Sequence, residues 1–162
     1  MTRPTYRCYP TPEPLAIDGD LSKPAWARTE AVPLVDVTTG ARPRQATTVR
    51  LLHDTEFLYL GFHAEDAEIW GTFREHDSPV WEENALELFL DPYGPGRTYY
   101  EIAVSPHGVV FDAVVVNRQV FPDGPRDLST LREWLCEGLE VAVRVDGELD
   151  VRRPVSRAWD LE

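Results

Sequence analysis

Residues Tyr99–Asn117 read YYEIAVSPHGVVFDAVVVN. Two runs rich in β-branched and aromatic residues flank Pro106–His107–Gly108, a trio that interrupts helix and strand alike and favours a chain reversal. The spacing predicts an antiparallel hairpin, Tyr99–Ser105 against Val109–Asn117, with Gly108 at the turn. Side chains alternate faces along a strand. Tyr100, Ile102 and Val104 are therefore expected on a core face, with Tyr99, Glu101, Ala103 and Ser105 on the other. In the second run Val109, Phe111, Ala113 and Val115 are expected in the core, which turns Asp112 outward.

The preceding segment, SPVWEENALELFLDP (Ser78–Pro92), repeats the pattern. A strand over Asn84–Asp91 gathers Leu86, Leu88 and Leu90 on one face and Ala85, Glu87, Phe89 and Asp91 on the other, with Trp81 just before it. A stiff loop, PYGPGR (Pro92–Arg97), follows. Upstream, Thr47–His53 and Phe57–Ala64 read as a hairpin around Asp54–Glu56. Val32–Gln45 reads as a short strand and a loop. The opening, with Pro4, Pro10, Pro12 and Pro14, favours extended backbone. After a turn at Asp18–Gly19, DLSKPAW (Asp20–Trp26) reads as one helical turn.

Downstream, Pro122–Pro125 breaks the chain. Asp127–Gly138 spaces Leu128, Leu131 and Leu135 on one helical face, which predicts a short helix. Leu139–Val145 alternates as a strand and ends at Asp146–Gly147, a hairpin-turn signal. Many short strands with almost no helix predict an all-β fold, an antiparallel β-sandwich of jelly-roll or immunoglobulin-like kind with at most one or two short helical turns. One domain is expected over residues 1–162.

Of the 162 residues 43% are hydrophobic, enough for one core. Lysine plus arginine is 16 and aspartate plus glutamate 28, a net charge of 16 − 28 = −12, which repels phosphate backbones and argues against a nucleic-acid partner. No apolar run approaches membrane-spanning length, and the start lacks the apolar centre of a signal peptide. The expectation is no membrane partner and, for the chain as written, a cytoplasmic place. Cys8 and Cys136 are too few and too far apart to read as a zinc knuckle, and two free thiols are expected.

PLAIDGDLSKPAW (Pro14–Trp26), TTVRLLHDTEFLYLGFHAED (Thr47–Asp66), WEENALELFLDP (Trp81–Pro92) and YYEIAVSPHG (Tyr99–Gly108) together resemble the family 9 carbohydrate-binding modules and the wider DOMON-like sandwich group. The resemblance runs from about Pro14 to the end, with its blocks in the family's order. It implies a β-sandwich, often extracellular, that binds small sugars and chain ends of plant polysaccharides such as xylan and cellulose. The sugar is held between two tryptophans inside a polar rim. Trp81 matches the first tryptophan and Glu87 the rim glutamate. Tyr99 and Glu101 share the outward face and join them as carbohydrate-binding candidates. A pyranose presents an apolar face to an indole and hydroxyls to ionised carboxylates, so these residue types suit it.

Departures from the family pattern accompany the likeness. The family's rim arginine and asparagine fall at Ala103 and Ser105, and an alanine cannot donate to a hydroxyl. The second tryptophan and several strands lie beyond Glu162, so the chain is expected to be incomplete there, with an open edge and Trp159 starting an unfinished strand. No cofactor is required, although the resemblance brings structural calcium, for which Asp18, Asp20 and Asp91 are the candidate ligands. A Met/His haem, known in the DOMON group, is disfavoured because Met1 is the only methionine. His53, His63, His76 and His107 show no ligand spacing. GxSxG and GxxxxGK motifs are absent.

The expected function is non-catalytic carbohydrate binding. The alternatives are the same fold without sugar binding, serving as a structural or partner-binding accessory domain, and a glycoside hydrolase drawing on Glu87, Glu101 and Asp112.

Overall fold

A computed structural model describes residues 5–94, 96–119 and 127–162. The expected break at Pro122–Pro125 and Pro95 of the stiff loop lie outside the described residues. The strands are β1 (Tyr9–Pro10), β2 (Val32–Pro33), β3 (Thr47–His53), β4 (Leu58–Glu65), β5 (Leu86–Leu90), β6 (Thr98–Val104), β7 (Val110–Asn117), β8 (Leu128–Leu131), β9 (Val143–Asp146) and β10 (Ala158–Leu161). Among the described residues the only helical pieces are two 3-10 turns, Trp26–Arg28 and Val80–Glu82. The strands form two sheets, one in each of two compact units.

The first unit takes residues 1–69 and 141–162. Its sheet runs β1-β3-β4-β10-β9, with β2 also on β3, and is antiparallel except for β1 beside β3. The β3–β4 hairpin forms where the sequence predicts. Asp54 closes it, its carboxylate accepting the Glu56 and Phe57 amides at 2.7 Å each and the Tyr59 hydroxyl at 2.6 Å. That hydroxyl first, and then the two amides, hold the Asp54 carboxyl below the usual aspartate range. Trp26, Leu52 and Tyr59 form the buried centre, with Leu15, Ile17, Leu21 and Ala25 packed around them. Gly61 allows this packing, since a Cβ there would stand 2.8 Å from Leu21 Cδ2 and 3.3 Å from the Trp26 ring.

The strand holding Trp159 is interior. β10 lies between β4 and β9, and Trp159 is buried. Among the described residues β9 is the edge strand on that side of the sheet. Pairing continues past β10, where Ala142 and Glu162 exchange both backbone hydrogen bonds. The Glu162 side chain turns inward. Its Oε1 accepts the Trp26 indole N–H at 2.7 Å, and its Oε2 accepts Lys23 Nζ at 2.6 Å and the amides of Gly19 and Asp18 at 3.0 and 3.1 Å. Burial works against the Lys23 ammonium, but its bonds to Asp18 and Glu162 outweigh that and hold its pKa above the ordinary lysine value.

The second unit, residues 70–140, is a meander, β5-β6-β7-β8, antiparallel throughout. The β6–β7 turn closes through Ser105, whose amide donates to the Val109 carbonyl and whose carbonyl accepts the Gly108 amide. Gly108 has φ of +73°, a value that other residues reach only with strain. Val80, Ala103, Val109, Phe111 and Ala113 form the buried centre, flanked by Phe73 and Ala85.

Two expectations fail at the end of this unit. Leu128–Leu131 is a strand paired to β7, not the start of a helix, and residues 132–140 are turns and irregular chain. A helix this short is marginal without a face to bury, and Leu128, Leu131 and Leu135 are all exposed. The free backbone groups of β7 offer a ladder instead. Likewise the expected 139–145 strand pairs only from Ala142 onward, β9 itself being Val143–Asp146, and residues 147–157, not a tight turn, lead to β10.

Replacing Glu162 by Gln should cost about 2–3 kcal/mol in urea unfolding, because three N–H donors and an ammonium lose a buried anion. Asp18→Asn, at an exposed carboxylate, should cost clearly less. Equal costs would show that Glu162 is no hub.

Candidate functional site

The register assigns the faces of the second sheet. Glu87 lies opposite Ala103, which lies opposite Phe111; Phe89 lies opposite Glu101, which lies opposite Ala113; Tyr99 lies opposite Val115. Directly paired residues share a face. Glu87, Phe89, Tyr99, Glu101, Ala103, Phe111 and Ala113 are therefore on one face, and Leu88, Ile102 and Asp112 on the other.

This corrects the expectation for β7. Phe111 and Ala113 do not join the leucine face; they floor the face that carries Glu87 and Glu101. Asp112 is not outward but wholly buried. A hydrolase pairing Asp112 with Glu87 or Glu101 is therefore ruled out by the sheet itself.

On the carboxylate face the floor is apolar and closed, with Ala103, Ala113 and Phe111 at 2% exposure or less. Above it stands Trp81, carried by the Val80–Glu82 turn, in which Val80 is buried as an anchor. The Trp81 ring lies 4.6 Å from that of Phe111 at 71°, an edge-to-face contact. It remains 39% exposed, so indole surface is available to a ligand. The Arg132 guanidinium completes the group, 5.4 Å from the centre of the Trp81 ring and 5.1 Å from that of Phe111. Phe89 and Tyr99 pack edge-to-face at 5.9 Å on the same sheet face.

Glu87 is exposed and Glu101 half-buried. Partial burial first, and then the negative charge of Glu87, push the Glu101 carboxyl above the usual glutamate range, while Arg132 pulls it back. Trp81, Glu87, Tyr99 and Glu101, chosen from the sequence, thus fall on or beside one face. Arg132 was missed because its segment reads as helix. A basic residue just past a leucine run was the only signal in the sequence.

Each calcium candidate is engaged within its own stretch of chain. Asp18 Oδ1 is 2.6 Å from Lys23 Nζ, which already supplies a cation, and also accepts the Asp20 amide. Asp20 accepts the Ser22 amide and faces Arg144. Both oxygens of Asp91 accept amides of their own loop, from Tyr93, Gly94 and Gly96. These are aspartates closing turns, a role that suits the residue type. Cys8 and Cys136 are free.

The chain matches the family described as "Carbohydrate family 9 binding domain-like" over residues 17–122. It is 29% identical to endo-1,4-β-xylanase A of Thermotoga maritima over 117 residues, 72% of this chain and 10% of that enzyme. It is 32% identical to endo-1,4-β-xylanase A of Thermotoga neapolitana over 94 residues, 57% of this chain and 8% of that enzyme. The chain thus spans about a tenth of the xylanases it matches. A crystal structure described as "a putative carbohydrate-binding protein" from Bacteroides uniformis superposes with a TM-score of 0.63 at 16% identity, covering 95% of this chain and 68% of that one. That likeness shows the fold, and the fold class is an all-β sandwich. With nearly two-thirds of its length inside the family match, the chain belongs to the carbohydrate family 9 binding domain-like family. Trp81, Glu87, Tyr99 and Glu101 lie within the matched span and Arg132 lies beyond it.

The charge arrangement can be checked by NMR titration of Glu101. Its midpoint should fall in Glu87→Gln and rise in Arg132→Ala. Because its folded pKa is raised, the stability Glu101 contributes is fully present below the ordinary glutamate pKa and is lost as pH rises through the raised value. Glu101→Gln should abolish that loss. A Glu101 midpoint indifferent to both neighbours would contradict the geometry.

Proposed function

We propose that the Trp81 face binds a carbohydrate without transforming it. One sugar ring stacks on the exposed indole, Glu87 and Glu101 accept its hydroxyl protons, and the Arg132 guanidinium donates from the rim. The observation that carries this reading is the meeting, on one face, of a 39%-exposed tryptophan with two carboxylates and an arginine.

Each part suits a sugar for a physical reason. The axial C–H groups of a pyranose bury apolar surface against an indole. Its hydroxyls bond more strongly to ionised partners than to neutral ones. Arg132 also answers the departure at Ala103. That residue is buried floor with no donor, and the donor chemistry comes instead from the segment after β8. Membership of the family supports a carbohydrate ligand, and the xylanase relatives support a xylan-type chain.

The open face also favours binding over catalysis. Glycosidases place an acid and a second carboxylate across a bond that is shielded from bulk water. Here Glu87 is exposed, and Asp112, the third acid considered, lies on the other side of the sheet.

Calorimetric titration with xylo-oligosaccharides, cellobiose and glucose tests the reading. Trp81→Ala should weaken binding about tenfold or more, near 1.4 kcal/mol, and Glu87→Gln about fivefold. Affinity should rise as pH climbs through the raised Glu101 titration and then level off, and Glu101→Gln should remove the rise. Unchanged affinity in Trp81→Ala would end the proposal. Release of reducing sugar would replace it with the hydrolase.

A further inference from the structure

Asp112 sits on the reverse of the sheet from Trp81, with its side chain 1% exposed. One carboxylate oxygen, Oδ2, accepts the backbone amide of Cys136. The other, Oδ1, is buried and has no hydrogen-bond donor. A buried acceptor left unmade costs about 1–3 kcal/mol, more when it is charged. What Oδ1 faces is His76 Nε2, 3.0 Å away. The same imidazole nitrogen lies 3.5 Å from Asp77 Oδ1, a second buried oxygen without a donor. All three atoms lie within 4.8 Å of one another.

We propose that His76, Asp77 and Asp112 form a binding site for a divalent transition-metal ion of the zinc class. Ligand atoms about 2.0–2.1 Å from a tetrahedral zinc stand about 3.3 Å apart, and the separations of 3.0 and 3.5 Å straddle that value. One imidazole and two carboxylates select zinc, manganese, cobalt or nickel over calcium, which prefers an all-oxygen shell. A metal-ligating imidazole brings no charge of its own, so a dication matches the two carboxylates. The His76 side chain is 47% exposed, so solvent reaches the ion from that side and water takes the remaining position.

Three chain segments would be tied by such an ion. His76 and Asp77 belong to the turn before the Trp81 segment, and the Asp77 amide already donates to the Val110 carbonyl of β7. Asp112 belongs to β7 itself and reaches on to Cys136. The ion therefore fixes the turn to the sheet from the face opposite the proposed sugar contacts, and it touches none of them.

Chelator-treated protein titrated with zinc in a calorimeter should take up one ion per chain, and its melting temperature should rise. Cobalt should give a visible absorption band on binding. His76→Ala and Asp77→Asn, both at accessible side chains, should each weaken zinc at least about tenfold and remove the cobalt band, while far-ultraviolet circular dichroism stays unchanged. Asp112→Asn is the third variant, informative only alongside that fold control. His63→Ala, at a histidine of the other unit paired with Asp160, should bind zinc as the parent does. If His76 is merely an ion-pair partner, no stoichiometric zinc uptake will be seen, and the site is overturned. Uptake that survives both His76→Ala and Asp77→Asn, or calcium bound undiminished by His76→Ala, overturns it equally. None of these readouts depends on whether a sugar binds.

Discussion

The burial of Asp112 in the middle of β7 constrains the second unit more than any other single feature. Burying a carboxylate is costly unless donors meet it, and here they come from chain segments distant in sequence. The Cys136 amide bonds one oxygen and His76 approaches the other. Cys136 lies four residues after Arg132, and His76 five before Trp81. One acid on one strand thus draws both flanks of the Trp81 face toward the same strand. On the front of that strand Phe111 receives them, its ring touched edge-on by Trp81 and capped by Arg132. Adjacent residues on β7, pointing oppositely, hold the two loops from behind and in front.

That arrangement explains why an exposed aromatic can keep a defined position. Trp81 sits on a three-residue 3-10 turn, which by itself specifies little. Val80 beneath it is fully buried, Phe111 abuts its ring, and Arg132 covers part of it. The ring's remaining surface is presented without being free to rotate away. Binding costs are lowest when such side chains are ordered beforehand. Cation–π contact with Arg132 is worth only about 0.5–1 kcal/mol at an exposed site. Its larger effect is to place a donor beside the indole and to temper the charge that Glu87 and Glu101 share.

The hairpins were legible in the sequence because their turns carry the signal. Asp54 and Gly108 do locally what their residue types predict. The faces of β7 were not legible. VVFDAVVV is apolar at both parities, so alternation does not say which face is inward, and Asp112 was assigned outward only because acids usually are. Register decides it, through Ala103 opposite Phe111 and Ile102 opposite Asp112. The leucines at 128, 131 and 135 fit a helix period as well as a strand's end, and pairing to an open edge prevailed. Arg132 was lost with that misreading. Of the candidate site, then, the residues inside the family-like blocks were legible as candidates and Arg132, supplied by a distant loop, was not. The partnership of Glu162 with Trp26, 136 residues apart, leaves no local trace at all.

Among the described residues each unit contains one buried carboxylate that joins loop to strand, and the difference between them is instructive. Glu162 is saturated: an indole, an ammonium and two amides meet its two oxygens, and Lys23 balances its charge. Nothing further could bind there without displacing a partner. Asp112 has one oxygen met and one unmet, and beside it stands a histidine half open to solvent. A fold that lacks α-helices among its described residues has few ways to tie long loops down, and a buried acid with several donors is one. When the donor set is complete, the acid is structural. When it is left one partner short, beside a second unmet carboxylate and an accessible imidazole, the same device has the chemistry of a cation site.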